Sequence, residues 1–411
     1  MKHFFKRFLL CLLMLLQLHV TALAQFNYFN LPPGRKHASM PFTNRDNLVV
    51  IDVLLNDSLP VKLMLDSGVE GVIITDQVAG NYFSGWCIRS YMLSAPGTPD
   101  LLDACITRPV KMKVSNLQPM FSNLIVLSED YFSLDQYIGA PVHGLIGIEK
   151  FSQLAITTDY DRSVIRFTRP EEFKPSARAA IIPLSINRGK PYMTSRIALD
   201  DGSIRDVWLM IDSGANHPIL LEYDSLDGYL PKKSLDAVIG KGLAGNIHGS
   251  FARLNWMMLG NFRLDNPICS FTSTYYPGNL ATRLHRNGTL GAGALSRFRV
   301  TFDYTGNRMI LEKGGKFKKK FEYNMSGVIF RALGRGFSIF EVNEVIPGSP
   351  GSEAGIKPGD ILMSVNGKPV FGLDLGELNH ILSEKHGAVI TMTFSRDGME
   401  QRVRIILRRL I

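Results

Sequence analysis

The sequence is poor in cysteine and lacks the short motifs that mark several enzyme classes. It holds four cysteines in 411 residues, without a C-x-x-C pair or a zinc-type cluster. H-E-x-x-H, G-x-S-x-G and Walker sequences are missing too, so zincin, serine-hydrolase and phosphate-transfer chemistry have no basis here. A G-x-G-x-x-G run at Gly240–Gly245 leads into a strand pattern, not into the helix that a dinucleotide site needs. The nine histidines are scattered without ligand spacing, and we expect neither a metal nor a cofactor.

Long apolar runs are also lacking, apart from one at the N-terminus. Basic residues precede the apolar run Phe8–Leu16, and small residues follow up to Ala24. This order is typical of a secretory signal peptide, and the run is too short for a comfortable membrane span. We therefore predict a signal peptide at residues 1–24 and an exported protein, periplasmic or secreted, in a bacterial envelope. The alternative is a retained signal that anchors the chain to a membrane.

The net charge is +9, and basic residues concentrate at 313–320 and 402–409. Such patches can bind nucleic acid or envelope polyanions. A solvated linker and a charged edge strand explain them as well. Because export also argues against nucleic acid, we expect no nucleic-acid partner.

The middle of the chain contains one pattern twice. VLLNDSLPVKLMLDSG in the first copy becomes IALDDGSIRDVWLMIDSG in the second, and each is typical of two strands joined by a polar turn and followed by Asp-Ser-Gly. GLIG begins 78 residues after Asp66, and GTLG begins 76 residues after Asp212. A closing hairpin with an Asp-Tyr pair follows in both copies. This repeat predicts two related β-rich lobes, at residues 25–172 and 173–316.

Each Asp-Ser-Gly follows an apolar strand, where a carboxylate is costly unless it is paired or functional. One copy alone would be an ordinary capped turn. The doubled motif, with Leu145-Ile146-Gly147 and Thr289-Leu290-Gly291 downstream, resembles the pepsin-like and retropepsin-like aspartic proteases. The resemblance covers about residues 45–315. It implies a mainly β, bilobed fold with pseudo-two-fold symmetry.

The resemblance also implies a reaction. Asp66 and Asp212 would form a catalytic dyad that shares one proton, so that one carboxyl acts as base toward a water while the other protonates the peptide carbonyl. Serines would buttress the carboxylates, and glycines would let the backbone turn tightly beneath them. These supporting residues are Ser67, Gly68, Ser213 and Gly214. The substrate would be a peptide or a protein.

The same family folds a β-hairpin flap over its substrate. Residues 87–105, with Ala95-Pro96-Gly97 at the tip, are the candidate in the first lobe, and Val238–Met258 is the candidate in the second. Tyr82 and Tyr91 are both near enough in sequence to serve as a flap tyrosine, and their spacing does not decide between them.

Two cysteines flank the first hairpin tip. Cys87 and Cys105 lie nine residues on either side of Pro96, so they would face each other across the hairpin. We therefore predict a disulfide between them in an oxidising compartment.

A different pattern follows the basic stretch. In SPGSEAGIKPGD, Ser349 and Pro350 are suited to begin a one-turn helix. An amphipathic helix with apolar residues between Leu375 and Leu382 comes later. These features resemble a PDZ domain over about residues 325–411. We assign 317–411 to a basic linker and a PDZ β-sandwich with two helices.

A PDZ domain implies a peptide partner. The loop Leu333-Gly334-Arg335-Gly336-Phe337 would offer backbone N–H groups to the C-terminal carboxylate of a peptide, and the strand after it would pair with the peptide. The alternative is a PDZ domain that only packs against the rest of the chain.

The sequence thus predicts an exported aspartic endopeptidase with a peptide-binding PDZ domain. The alternative is a non-catalytic peptide-binding scaffold, in which the lobes are kept but no longer cut. Val69 stands where the protease family usually has alanine, so the first motif departs slightly from the family pattern. A membrane partner is expected only if the signal is retained.

Overall fold

The computed structural model describes residues 27–93, 101–242, 245–272 and 286–411. The predicted signal peptide at residues 1–24 and the predicted hairpin tip Ala95-Pro96-Gly97 lie outside the described residues. The chain is mainly β, as predicted. In the part that the structure describes, no helix has the length and apolarity to cross a bilayer.

The first half of the described chain is built almost entirely from strands. The strands are β1 (His37–Pro41), β2 (Thr43–Arg45), β3 (Leu48–Leu55), β4 (Leu59–Asp66), β5 (Val72–Ile74), β6 (Cys87–Leu93), β7 (Leu102–Thr107), β8 (Val110–Lys113), β9 (Met120–Ser122), β10 (Ile125–Leu127), β11 (Gly144–Gly147), β12 (Ala155–Asp159) and β13 (Val164–Thr168). The helices are α1 (Gln77–Tyr82) and α2 (Leu134–Ile138), with 3-10 turns at Ser84–Trp86, Ile148–Phe151 and Pro170–Glu172. Ten strands form one sheet in the order β6-β7-β10-β5-β11-β4-β3-β8-β9, with β2 beside β3. The end of β4 is buried, as is typical of a strand covered on both faces.

The second half repeats this arrangement. Its strands are β14 (Ala180–Pro183), β15 (Ser185–Asn187), β16 (Lys190–Ala198), β17 (Ile204–Asp212), β18 (Ile219–Glu222), β19 (Leu235–Gly242), β20 (Gly245–Arg253), β21 (Trp256–Leu259), β22 (Phe262–Asp265), β23 (Ile268–Thr272), β24 (Gly288–Gly291), β25 (Phe298–Asp303) and β26 (Arg308–Lys313). Its short helix is α3 (Ala292–Leu295), and a 3-10 turn lies at Tyr223–Leu226. The sheet order is β19-β20-β23-β18-β24-β17-β16-β21-β22, with β15 beside β16. Strand β17 therefore takes the place of β4, and β24 takes that of β11.

A third sheet joins the two halves. Its order is β1-β13-β12-β25-β26-β14, so three strands come from each half. Strands β12 and β25 pair antiparallel, with Thr157 opposite Thr301. Their Oγ1 atoms are 2.8 Å apart in a buried hydrogen bond. The two halves share one hydrophobic core, which runs through this sheet.

The C-terminal domain has a core of its own. Its elements are β27 (Val328–Leu333), β28 (Ile339–Val345), α4 (Pro350–Glu353), β29 (Ile361–Val365), β30 (Lys368–Pro369), α5 (Leu375–Ser383), β31 (Val389–Arg396) and β32 (Met399–Ile406). The sheet order is β27-β28-β29-β31-β32, with β30 beside β29. Ser349 caps α4 as predicted, and Asp374 forms a capping box with Glu377 at the start of α5. Strand β27 is an edge strand of this sheet, and its side chains alternate between the core and half-buried positions.

Candidate active site

Asp66 and Asp212 occupy the same place in the two halves. Each ends a central strand, β4 or β17. The predicted downstream segments form β11 and β24, which run parallel to these strands, with Gly147 opposite Asp66 and Gly291 opposite Asp212. Each carboxylate therefore emerges where two parallel strands end.

The two Asp-Ser-Gly loops approach each other closely. A Cβ added to Gly68 would lie 2.8 Å from Cγ of Asp212, and a Cβ added to Gly214 would overlap the carboxylate of Asp66. The N–H of Gly68 donates to Oδ1 of Asp66 at 2.6 Å, and the N–H of Gly214 donates to Oδ1 of Asp212 at 3.1 Å. Glycine is required at both positions because any side chain would push the two carboxylates apart.

The two serines tie the loops together by crossed hydrogen bonds. The N–H of Ser67 donates to Oγ of Ser213 at 3.0 Å, and the N–H of Ser213 donates to Oγ of Ser67 at 2.9 Å. Each hydroxyl also donates across the interface, Ser67 to the carbonyl of Ile211 at 2.7 Å and Ser213 to that of Leu65 at 3.1 Å. Both serines are buried. Because such groups are costly to leave unpaired, the four bonds fix each loop on the opposite half.

The environment of Asp66 favours its protonated form. Burial raises the pKa of Asp66 well above its usual range, and the neighbouring carboxylate of Asp212 raises it further. The Gly68 N–H and, more weakly, Lys190 lower the same pKa. Desolvation and like charge act together here, as expected for two carboxyl groups that share a site.

His217 is near enough to Asp212 to feel its charge and is hydrogen-bonded to Thr289, and the sequence did not indicate His217 and Thr289 as a pair. His217 Nε2 lies 2.7 Å from Oγ1 of Thr289. Burial lowers the pKa of His217 to about 4, against an opposing effect of Asp212, so its imidazole is neutral near pH 7. In the first half Gly71 follows Asp66 at the spacing at which His217 follows Asp212. The only sequence signal for His217 is that the two copies of the repeat differ at this position.

The first half also differs from the second at Glu149, which lies behind the Asp66 loop. Its Oε1 accepts the N–H of Gly71 at 2.7 Å, while Oε2 is buried without a hydrogen-bond partner among the described residues. Burial raises the pKa of Glu149. Gly293 stands at this position in the second half, and a Cβ there would lie 2.6 Å from the carbonyl oxygen of Asn216. The two Asp-Ser-Gly loops are therefore braced differently behind the carboxylates.

Both aspartates line a cleft that continues along the linker to the C-terminal domain, with a total volume of about 2540 Å³. The hairpin β6–β7 contributes Tyr91 and Met92 to its wall, whereas Tyr82 contacts the hydroxyl of Ser58 at 3.2 Å. Of the two candidate tyrosines, Tyr91 is the one in the cleft.

Both predicted hairpins are present at the cleft. Cys87 and Cys105 form a disulfide between β6 and β7. In the second half β19 and β20 pair up to Gly242 and Gly245, so the described glycines of the G-x-G-x-x-G run lie in paired strands and not at the start of a helix. Val238 and Ile247 of this hairpin line the cleft.

The predicted carboxylate loop of the C-terminal domain forms a hairpin turn. Leu333 ends β27, and the N–H of Phe337 donates to the carbonyl of Gly334 at 3.1 Å. Arg335 and Gly336 are exposed at the turn. The next strand, β28, pairs with β27 on one side and with β29 on the other. The expectation that the strand after the loop would accept a peptide is therefore corrected, because β28 is an interior strand and the two edge strands of the sheet are β27 and β32.

Comparisons with known proteins identify the C-terminal domain. Residues 341–396 match the family model of the PDZ domain, which confirms that part of the prediction. A protein of Mesorhizobium japonicum named "Putative zinc metalloprotease mll0638" is 38% identical over 76 residues, which is 18% of this chain and about a fifth (20%) of that protein's length. A crystal structure of the basic 7S globulin from soybean, 13% identical, covers 70% of this chain and 97% of that one with a TM-score of 0.39. A TM-score this low does not establish a common fold.

Proposed function

We propose that this protein is an exported aspartic endopeptidase, built from two lobes related by a pseudo-two-fold axis. The observation that carries the proposal is the set of crossed hydrogen bonds between Ser67 and Ser213. They hold the two Asp-Ser-Gly loops together through their buried serines, so that Asp66 and Asp212 line the same cleft. Placing the half-buried carboxylate of Asp212 beside the buried carboxylate of Asp66 costs free energy that a merely structural turn would not require.

The chemistry follows from one shared proton. With the pKa of Asp66 raised, the pair retains a proton at pH values where an exposed carboxyl would lose it. The ionised member takes a proton from water as that water attacks the peptide carbonyl, and the protonated member donates to the carbonyl oxygen. Because His217 is neutral near pH 7, it adds no positive charge beside Asp212 and does not change which groups transfer the proton.

The decisive test is cleavage of a susceptible peptide, found in a peptide library, by the wild type and by Asp66→Asn, Asp212→Asn and the double variant. We expect each single variant to lose activity about as fully as the double variant, because neither carboxyl works alone. The rate should fall at both low and high pH, since the base is protonated at one end and the shared proton is lost at the other.

A folded Asp212→Asn variant with near-wild-type turnover would contradict the dyad. In that case, or if no peptide is cut by the wild type, the non-catalytic peptide-binding scaffold becomes the better explanation. Circular dichroism of each variant separates loss of chemistry from loss of fold.

The PDZ domain and the disulfide support the rest of the proposal. PDZ domains pair an extended peptide with an edge strand of their sheet, and β27 is an edge strand here that also contacts α5. We propose that it binds the C-termini of peptides or regulates access to the cleft. The Cys87–Cys105 disulfide is consistent with an oxidising compartment outside the cytoplasm.

A further inference from the structure

Helix α2 of the first half lies against the PDZ domain. A Cβ added to Gly139, the residue that ends α2, would lie 2.8 Å from Cβ of Leu375 and 3.7 Å from Cβ of Ala332. Leu375 begins α5 and Ala332 lies in the edge strand β27. The end of α2 therefore contacts both elements at the same end of the groove between them.

Polar contacts on both sides of α2 complete this attachment. Arg45 Nη1 lies 2.9 Å from Oδ2 of Asp374, with about a third of each side chain exposed (32% and 36%). Tyr137 forms a side-chain hydrogen bond with Asn343. The Nε of Arg45 is buried without a hydrogen-bond partner in the part of the chain that the structure describes. A partly exposed ion pair adds little to stability and an unpaired buried donor opposes burial, so these polar contacts hold α2 only weakly.

The opposite side of the PDZ domain is attached to the second half more extensively. Arg253 donates to the carbonyl oxygen of Phe321 at 2.8 Å and to that of the C-terminal Ile411 at 3.4 Å. The rings of Phe251 and Tyr323 lie 4.5 Å apart. If one attachment opens, it is the one at α2.

Helix α2 also belongs to the cleft. Leu134, Tyr137 and Ile138 line the cavity that contains both aspartates. The chain then runs from Gly139 into β11, whose Gly147 lies opposite Asp66. A shift of α2 would therefore reach both the wall of the cleft and the strand beside the carboxylate.

The rest of the groove between β27 and α5 is open and suits a chain terminus. Ile329 of β27 and Ser383 of α5 line the same cavity as the aspartates, and so do Glu384, Lys385 and His386 at the end of α5. A free edge strand binds an extended chain through its backbone. At this end of the groove the ammonium group of Lys385 can donate to a carboxylate.

We propose that α2 and an extended peptide with a free C-terminus compete for the groove between β27 and α5. Peptide binding releases the PDZ domain from the first half, and this release raises the activity of the cleft. The competition is independent of catalysis, whereas the change in activity rests on the function proposed above.

The test of the competition weakens the α2 attachment in full-length protein that carries Asp212→Asn, so that the probe is not cut. The variant is Arg45→Glu with Tyr137→Phe, and Arg45→Gln with Tyr137→Phe is a milder second version. The probe is a pool of fluorescein-labelled random decapeptides with free C-termini, measured by anisotropy. We expect the weakened variants to bind about 5- to 10-fold more tightly, because a larger fraction of the protein is competent to bind.

The matched control is Arg196→Glu, which removes another exposed ion pair, that with Asp206 at 3.0 Å in the second half. It should bind the pool as the parent does. Hydrogen exchange of β27 and α2 reports whether the attachment has opened. Faster exchange in the weakened variants without tighter peptide binding would overturn the competition.

Activity is tested separately with both aspartates intact. The weakened variants should cut a susceptible peptide several-fold faster than wild type, and unchanged turnover in variants that bind the pool more tightly would overturn the coupling. If no variant and no wild type cuts any peptide while the binding difference is found, the proposed endopeptidase function fails and the competition stands.

Discussion

Thr289 is a polar residue where the first half of the chain has the apolar Leu145, and its hydrogen bond to His217 explains the difference. The equivalent residue of the first half is Leu145, which packs in an apolar cluster under the cleft. Thr289 instead bonds to the half-buried His217. Replacing His217 would therefore leave the buried hydroxyl of Thr289 without this partner.

The lowered pKa of His217 predicts a pH-dependent stability. Its pKa is about 4 in the folded protein against 6.5 as the ordinary value, so between these values the unfolded chain binds a proton that the folded chain does not. Its contribution to stability is therefore complete above pH 6.5 and is lost as the pH falls towards 4. Wild type should lose up to about 1.4 kcal/mol of stability per pH unit through His217 in this range. The His217→Asn variant should not show this loss. Urea unfolding of both proteins at pH 7.5 and pH 4.5 measures it, and parallel changes in the two would contradict it.

The shifted pKa of Asp66 should change the pH dependence of stability in the opposite direction. Its raised pKa means that the folded protein keeps a proton that the unfolded chain loses above the ordinary value of 3.8. This contribution is present at low pH and is lost as the pH rises through the folded pKa. Asp66→Asn should therefore melt about 2–4 °C higher than wild type at pH 8, the shift expected from about 1 kcal/mol in a large domain. The two should converge near pH 4, and Asp52→Asn, at an exposed site paired with Lys62, should show no such trend.

At the scale of elements, the hairpin β6–β7 projects from the first sheet. Every residue of β6 is exposed or half-buried, and β6 is the edge strand of that sheet. Few core contacts therefore stabilise it. The Cys87–Cys105 disulfide takes the place of such contacts.

Removing this disulfide should loosen the hairpin more than the fold. We expect Cys87→Ser with Cys105→Ser to raise KM for a peptide several-fold, since Tyr91 and Met92 leave the cleft wall more often. Global stability should change little, because the hairpin opens locally, although a closed loop of about this length is associated with about 3 kcal/mol. Hydrogen exchange of β6 and β7 measures the opening. Cys269→Ala, which removes the buried thiol outside the disulfide, is the control and should leave KM unchanged.

At the scale of the whole molecule, Arg253 connects the second half to the linker and to the last residue of the chain. Its side chain bonds to the carbonyl oxygens of Asn266, Phe321 and Ile411. Arg253→Ala should free the linker while the PDZ domain stays folded on its own core. The exposed Lys318–Lys320 stretch should then be cut by trypsin about tenfold faster, whereas Arg253→Lys should give an intermediate rate because it keeps the charge but not the fork. Equal rates in all three proteins would show that the linker is held by other contacts.

The sequence predicted the features that the two copies of the repeat share, and it did not predict the residues at which the copies differ. The mainly β fold, the PDZ domain and the strands around Asp66 and Asp212 all follow from local patterns of alternation, turns and spacing. The contacts of α2 and Arg45 did not, because Arg45 and Asp374 are 329 residues apart in the chain, and no local pattern links them. His217 and Glu149 lie where the two copies diverge, and their positions near the aspartates become visible only in the folded structure.

The assignment of the PDZ loop shows the same limit. The glycines around Arg335 indicated a turn, and a turn is present. Which of its two flanking strands forms the edge of the sheet depends on the order β27-β28-β29, and that order is not encoded in the turn.

The register of β12 against β25 has a consequence for each half of the chain taken alone. Thr157 faces Thr301, Ala155 faces Asp303 and Asp159 faces Arg299. Thr157 and Thr301 are equivalent residues of the two copies, so the antiparallel pairing is centred on one repeat position and is the same read from either strand. Because the two strands are equivalent members of the repeat, a β12 strand can meet a second β12 strand in this same register, with Thr157 opposite Thr157. The contact that unites the halves is in this sense self-complementary. A gene for one half would already encode the surface needed to build a symmetric pair, and tandem duplication would only have to join the two copies.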